Sequence, residues 1–546
     1  MFIKEMTGTN KKYLYLSRGV RKGDKVKHEN LVSFGAVDEL NEKELKKIAF
    51  KLLSYCQNNE FIDLSQIREE SRHNWGAMAI TKSLFKKFSI DLLISKLLSE
   101  RKIKINILLI LNFLISERLS GPKSKYAAYK NQDWYIQNPS INLQNIYRTI
   151  DFLADHTDVI KKHLFEVQKN LFNLDISVVF YDVTTLYFES KQEDSLKKFG
   201  YSKDCKFSDV QVVVGAMIDK TGRPLDYEVF SGNTYEGHTL KNFVERVKNK
   251  FHLKEVIFVT DRGLNSSKNL FSILDAGEDF HFIVGHRAKN ATIKLQEQIL
   301  SDDGYIDISN NSDEILKYKI ISSTKAVITE DGGIKKIKTQ IVATYSSSRA
   351  KKDSKDRARL IDKARDMVLN NHVINSKRGA KKYINIEANI ESIELNEDKI
   401  LSDSKWDGYY TIEFSNIALS AQEVLAAYHS LWRIEDLFRS LKTHLEARPI
   451  WHWTPKRVIG HFTLCFLALV IERTLEIECY NKYRETSPSS IRAAINSLQL
   501  SKINLGKKEL FVFSKVTEYA KTILEMAKLD IPPPILSPEK FSKIYL

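Results

Sequence analysis

The chain has 546 residues, too many for one ordinary core, so two to four domains or a domain with large insertions are expected. Its 43% hydrophobic and 28% charged residues fit a soluble globular protein and exclude a disordered one, and its 84 Lys+Arg against 69 Asp+Glu (net +15) favour a polyanionic partner, nucleic acid ahead of an anionic membrane surface. Four scattered cysteines, Cys56, Cys205, Cys465 and Cys479, lack CxxC or Cys/His ligand spacing, which excludes a zinc finger and a disulfide framework and fits a reducing cytosol.

The opening "MFIKEMTGTNKKYLYLSRG" has no apolar signal core. Residues 11–34 alternate apolar and polar around the turn "RKGDK", which predicts a small β-hairpin within an N-terminal segment 1–40. From 41 to 172 apolar residues recur at spacings of three and four, as in "AITKSLFKKFSIDLLISKLLSE". This predicts a basic, helical, DNA-docking region. The runs "INILLILNFLI" (105–115) and "FTLCFLALVI" (462–471) are too short to span a bilayer and read as buried helices, so no membrane partner is expected.

At 173 the texture changes. "ISVVFYDVTTLYFES", "VQVVVGAMID" and "LDYEVFSG" read as three strands, "TLKNFVERVKNKF" as a helix, "EVIFVTDRG" as a strand, then a helix and a last strand, "FHFIVGHR". That order predicts an α/β fold, a ribonuclease-H-like catalytic core, over 173–287. Residues 288–420, with runs such as "KIKTQIVATYS" and "YYTIEFS", interrupt it as a mostly β insertion. The core resumes over 421–480, and a helical C-terminal tail is expected for 481–546.

Two carboxylates stand out. Asp182 lies amid "VVFYDVTTLYF", where a charge is costly unless paired or bound to a cation, and Asp261 ends the strand "VIFVTD", where ligand sites of open α/β sheets collect. With the two strands as neighbours, both carboxylates converge. A third candidate lies in "YHSLWRIEDLFRSLK" (428–442), which predicts one amphipathic helix with the apolar stripe Leu431, Ile434, Phe438, Leu441 and Leu445. Tyr428, Glu435 and Lys442 form a second stripe beside it. This pattern describes a solvated flank as well as a site. Facing the two aspartates, Glu435 would complete a set of hard oxygen ligands for Mg2+ or Mn2+, two ions suiting phosphoryl transfer.

Together these residues resemble the DDE-type insertion-sequence transposases, in the insertion-sequence-four-like superfamily whose catalytic domain carries a β-rich insertion. "YDVTTLYFES" and "VTDRGLNS" resemble the blocks around the two catalytic aspartates, "FSGNTYEGHTL" the Gly-Asn loop between them, and "LEARPIWHW" the segment after the last helix. That helix's signature is Tyr, two residues, Arg, three residues, Glu, six residues, Lys; Tyr428, Glu435 and Lys442 are in register, but Leu431 stands where the family has Arg.

The resemblance implies Asp182, Asp261 and Glu435 as catalytic metal ligands. It implies Tyr428, Lys442, Asn233 and Arg262 in supporting or phosphate-binding roles, with Arg433 or Arg439 replacing the missing arginine. Terminal inverted repeats and target DNA would be the substrates, a homodimer the synaptic form, and the prokaryotic cytoplasm, at the nucleoid, the location. A metal-dependent nuclease on the same core and a decayed, DNA-binding repressor are the alternatives. The cluster Lys351, Lys352, Lys355, Arg357, Arg359, Lys377, Arg378, Lys381 and Lys382 makes the insertion basic, as a solvated face or a phosphate-neutralising surface.

Overall fold

The fold was obtained as a computed structural model, which describes residues 1–546 apart from 24, 54, 56–67, 100–104, 137–140, 203–204, 250, 252–254, 310–313, 330–331, 371–377, 387–392, 417, 506–507 and 546. Cys56 and Lys377 therefore lie outside the described residues. The chain divides into two compact units: one comprises 1–72, 501–512 and 535–542, the other 73–500, 513–534 and 543–546.

In the first unit, β1 (Phe2–Thr7), β2 (Lys12–Lys22) and β3 (Lys25–Ala36) form an antiparallel meander, one strand more than the expected hairpin, followed by α1 (Glu42–Leu53). A second sheet in this part of the fold begins with β4 (Arg68–Asn74).

The second unit opens with helices α2 (Gly76–Lys87), α3 (Ile90–Ser99), α4 (Ile107–Ser120), α5 (Lys125–Lys130), α6 (Leu143–Asp155) and α7 (Thr157–Leu171). The helical stretch beginning at Ala79 breaks between α2 and α3 at Ser89, whose φ of 52° no α-helix accommodates. α4 is almost wholly buried; two of its polar side chains bond to α2, Asn112 to the Met78 carbonyl and Ser116 to that of Ala77.

Next come the strands β5 (Val178–Tyr187), β6 (Gln211–Asp219) and β7 (Pro224–Ser231). α8 (Leu240–Asn249), β8 (Val256–Thr260), α9 (Ser267–Ala276) and β9 (Phe280–Gly285) follow. β5, β6 and β7 are antiparallel neighbours, while β5, β8 and β9 run parallel, giving the order β7-β6-β5-β8-β9. The β-branched and aromatic composition of these runs explains why they are strands buried on both faces. On one face Val179, Tyr181 and Phe258 pack with Phe243, Val247 and Ile273 of α8 and α9.

The long strands of residues 288–420 join the core sheet. After α10 (Ile293–Leu300), the strands β10 (Ile306–Asp307), β11 (Leu316–Ile328) and β12 (Ile334–Ser346) extend the core sheet, joined to it through β15 (Tyr409–Phe414), which pairs antiparallel with β9. The nine-stranded sheet is continuous from β10 to β7. Between β12 and β15 lie the long helix α11 (Ser347–Leu369), the two-stranded β13 (Ile384–Ile386) and β14 (Ile393–Leu395), and α12 (Glu397–Ser404).

The chain then enters α13 (Ala421–His429), α14 (Trp432–Arg439) and a π turn, Ser440–His444, before the 28-residue α15 (Pro455–Lys482). α15 is long and apolar enough to cross a membrane by length and composition, but 94% of its apolar window is buried inside the fold, against α4 and α6 among others. The tail holds α16 (Pro488–Ser497), α17 (Glu518–Met526) and α18 (Pro538–Tyr545). The sequence predicts a helical tail, but β16 (Gln499–Leu505), β17 (Lys508–Phe513) and β18 (Ile535–Leu536) interrupt it and form a sheet in the order β18-β17-β16-β4. "KELFVF" is too short and too rich in strand-forming residues for a helix.

Candidate active site

The parallel register between β5 and β8 runs Val178↔Ile257, Val179↔Phe258, Phe180↔Val259 and Tyr181↔Thr260, and there β8 ends. Asp182 and Asp261 are the next residues on the two strands. β5 continues to Tyr187 along β6, so the sheet opens on the β8 side where both carboxylates stand. Asp261 starts a 3-10 turn, Arg262–Leu264, and its carboxylate accepts a hydrogen bond from the Gly263 amide at 2.8 Å. Asp182 is half-buried and is paired across β6 with Ala216, and Ala216 lines the apolar contact with Leu437, Leu441 and Phe466. Side chains of directly opposed residues share a face, so Asp182 lies on the face covered by α14 and α15 and opposite to Tyr181.

The segment read as a single helix over 428–442 is two helices and a π turn. At Ser430 and Leu431 the hydrogen bonds tighten from i−4 to i−3: Leu431 N to Tyr428 O, Arg433 N to Ser430 O and Ile434 N to Leu431 O, each at 3.1 Å. At the other end the Leu445 amide reaches back five residues to the Ser440 carbonyl at 2.9 Å. α13 lies along β15, β9 and β8, whereas α14 packs on β5 and β6, so the break carries the chain across the open carboxyl edge of the sheet. Leu431, Ile434, Leu437, Phe438, Leu441 and Leu445 are all buried.

Tyr428, at the end of α13, packs against β9. A methyl group on Gly285 would lie 2.6 Å from the Tyr428 hydroxyl and 3.2 Å from Arg262 Cβ. The Tyr410 hydroxyl donates to Tyr428 at 2.6 Å, and burial, that hydrogen bond and the nearby Asp261 charge push the Tyr428 phenol well above its usual range. It is a neutral hydrogen-bonding group. Arg262 lies with Cζ 5.5 Å from the Tyr410 ring centroid and Arg349 of α11 with Cζ at 4.6 Å. Tyr410 and Arg349 carry no signal as site residues in the sequence. "GYYTIEF" reads as a strand, but only its pairing with β9 brings Tyr410 to Tyr428.

Glu435 is exposed on α14. At 100° per residue it stands about 200° from Arg433. Arg433 lies beside Gly222 in the β6–β7 turn, near the amino end of β5. Glu435 is thereby on the flank toward the carboxyl ends of β5 and β8, and Arg433 is on the opposite one. Arg439, one turn beyond Glu435, is 3.6 Å from Asp436, which in turn pairs with Arg473 at 2.7 Å. Lys442 is half-buried within the π turn. Asn233 is exposed and accepts from Ser231 at 2.8 Å; its loop leads to the turn Glu236–His238, which packs on the Arg262–Leu264 turn.

Asp182, Asp261 and Glu435 are the hard oxygen donors that a divalent cation prefers. As the side chains stand, no three His, Cys, Asp or Glu among the described residues are gathered closely enough to hold one. The backbone aligns Asp182 with Asp261, and Glu435 stands exposed on the overlying α14.

Beside Arg262 opens a cavity of about 610 Å3 between the core sheet and α11, lined by Arg287, Lys289, Arg349 and Tyr410 among others. The basic cluster of the insertion divides here. Arg357 is an ion-pair partner of Asp407, and Lys382 of Asp403 at 2.7 Å, so these cations hold α11 and its neighbours together. Lys351, Lys352 and Lys355 lie along α11 on the solvent side.

The transposase DDE domain model matches residues 173–471, more than half of the chain, and the chain belongs to that family. It is a DDE-type transposase. Among solved structures it is similar to the piggyBac transposase synaptic complex with hairpin DNA, at 8% identity and a TM-score of 0.32 over 78% of this chain and 80% of that one. Comparison with curated proteins gives no match.

Proposed function

We propose that this chain is an insertion-sequence transposase of the insertion-sequence-four-like superfamily. It binds the terminal inverted repeats of its element, frees their 3′-hydroxyls and joins them to target DNA. The observation that carries this reading is the register of β5 and β8, which aligns Asp182 with Asp261 inside the matched region 173–471. The strand order β7-β6-β5-β8-β9, three antiparallel strands followed by two parallel ones, supports a ribonuclease-H-like core.

Asp182, Asp261 and Glu435 would hold two Mg2+ ions, with Mn2+ able to substitute. Metal ions held there would supply activation of the attacking oxygen and stabilisation of the leaving one. The protein's own residues bind and orient the strand. Tyr428, neutral and held by Tyr410, offers a hydrogen bond to a phosphate, and Arg262 and Lys442 supply charge along the same edge. Arg433 and Arg439 line one cavity with Gly222 on the far flank of α14. Synapsis of two ends calls for a homodimer working in the prokaryotic cytosol, at the nucleoid.

The test is incubation with the DNA flanking the gene and Mg2+, followed by mapping of cleaved termini. Cleavage at the element's ends, and joining of a pre-cut end to a second duplex, is expected. Random nicking without joining would replace the transposase reading with that of a nuclease.

A further inference from the structure

A second cavity, of about 200 Å3, lies away from the carboxylates, where α4, α5 and α6 meet the segment joining the π turn to α15. Its wall is cationic. Arg118 of α4 donates from Nη1 to the carbonyls of Leu445 (2.8 Å) and Glu446 (3.1 Å), while its Nε has no hydrogen-bond partner among the described residues. Lys125 is 4% exposed, and its Nζ hydrogen-bonds to none of them either. Lys123 stands exposed at the mouth, and Arg448 lies with Cζ 5.5 Å from the Tyr187 ring centroid.

Negative charge does not balance this set. Glu446 lines the cavity but is exposed, and neither oxygen of Glu117, buried nearby, is hydrogen-bonded among the described residues. Burial pushes the Glu117 carboxyl up, toward its neutral form. Burial and then Arg118 hold the Lys125 ammonium down, and Cys465 is buried as a thiol. Two imidazoles 5.1 Å apart, His452 and His461, are kept neutral by burial and by Lys125, with His452 pushed down to about 3. A buried amine with no partner is costly unless something negative completes it.

We propose that this cavity binds a phosphate group between Lys123 and Arg448 at its mouth, with the buried Lys125 and Arg118 as the positive charge behind them. Trp451 (58% exposed) and Tyr126 (55% exposed) flank it with open aromatic faces of the kind on which unpaired bases stack. On the transposase reading, on which this part rests, the phosphate belongs to a DNA strand. Tyr187, which Arg448 overlies, lies on the same strand as Asp182, five residues further along β5. Inorganic phosphate shares the same chemistry. An anion there offsets the positive charge of Arg118 and Lys125.

The test is calorimetric titration of the full chain with inorganic phosphate, followed by displacement with a single-stranded oligonucleotide. Saturable binding is expected. It should be lost in Lys125→Met and weakened roughly tenfold in Lys123→Ala, a surface change that leaves folding intact. No saturable binding, or wild-type binding by both variants, overturns the site. Phosphate binding that the oligonucleotide does not displace overturns the DNA source. Intact phosphate binding in a chain that cleaves no element ends would instead count against the transposase reading alone.

Discussion

Asp182 and Asp261 occupy the first positions beyond Tyr181↔Thr260, the last pair of the parallel register between β5 and β8. Neither loop flexibility nor a side-chain rotamer brings them together; two buried strands do. Anything that shifts this register, or the helices laid over it, should therefore be felt as impaired cleavage before it is felt as impaired DNA binding.

Gly285 tests the packing around Tyr428. The methyl group of Gly285→Ala would lie 2.6 Å from the Tyr428 hydroxyl, so the ring must move off Tyr410. Overpacking of this kind costs about 1–3 kcal/mol. A lower Tm is expected, with cleavage of element ends reduced roughly tenfold or more and end binding in a gel-shift assay little changed.

Leu431 stands where the family's helix has Arg. It is 8% exposed, in the tightened turn between α13 and α14. Leu431→Arg should not rescue a family function but should destabilise the fold by about 2–4 kcal/mol, because a guanidinium replaces a packed apolar group. Thermal unfolding measures this; an unchanged Tm would mean that the turn can present an arginine.

The lysines of α11 and the ion-paired arginine beside them should behave differently. Replacing Lys351, Lys352 and Lys355 together by alanine should lower the slope of log K against log salt for DNA binding by about 0.9 for each phosphate no longer neutralised. Arg357→Ala breaks the pair with Asp407 and should lower Tm while leaving the salt slope unchanged.

Burial pushes the Glu472 carboxyl up to about 8, against the pull of Arg473. Between the unfolded value near 4.5 and about 8 the folded state holds a proton that the unfolded state has released, so stability is full below the lower value and falls as pH rises. Glu472→Gln should remove that loss, on the order of 3–5 kcal/mol. Tm measured at pH 5 and pH 9 should differ less in the variant than in the wild type.

The strands around the two aspartates were legible because long β-branched runs on both sides of each carboxylate leave no other structure open to them. The apolar stripe from Leu431 to Leu445 was legible for the same kind of reason. The break at Ser430 was not, since its residues suit a helix and only the crossing from β9 to β5 demands a bend. Nor was the continuity of the sheet from β9 into β15, β12 and β11, because strand pairing between segments far apart in the chain leaves no local trace. The ion-paired Arg357 and the solvent-facing Lys355 look alike in sequence, and only the position of Asp407 separates them. Lys125 reads as one more surface lysine until α4 and α15 enclose it.

The most direct measurement is single-turnover cleavage of the element's ends in Mg2+ by the wild type and by Asp182→Asn, Asp261→Asn and Glu435→Gln, with gel-shift binding in parallel. Each variant should lose cleavage by roughly 10³-fold, since a metal ligand contributes several kcal/mol to the transition state, and should bind the ends as the wild type does. Cleavage within a few-fold of wild type in any one of the three would contradict its place in the catalytic set.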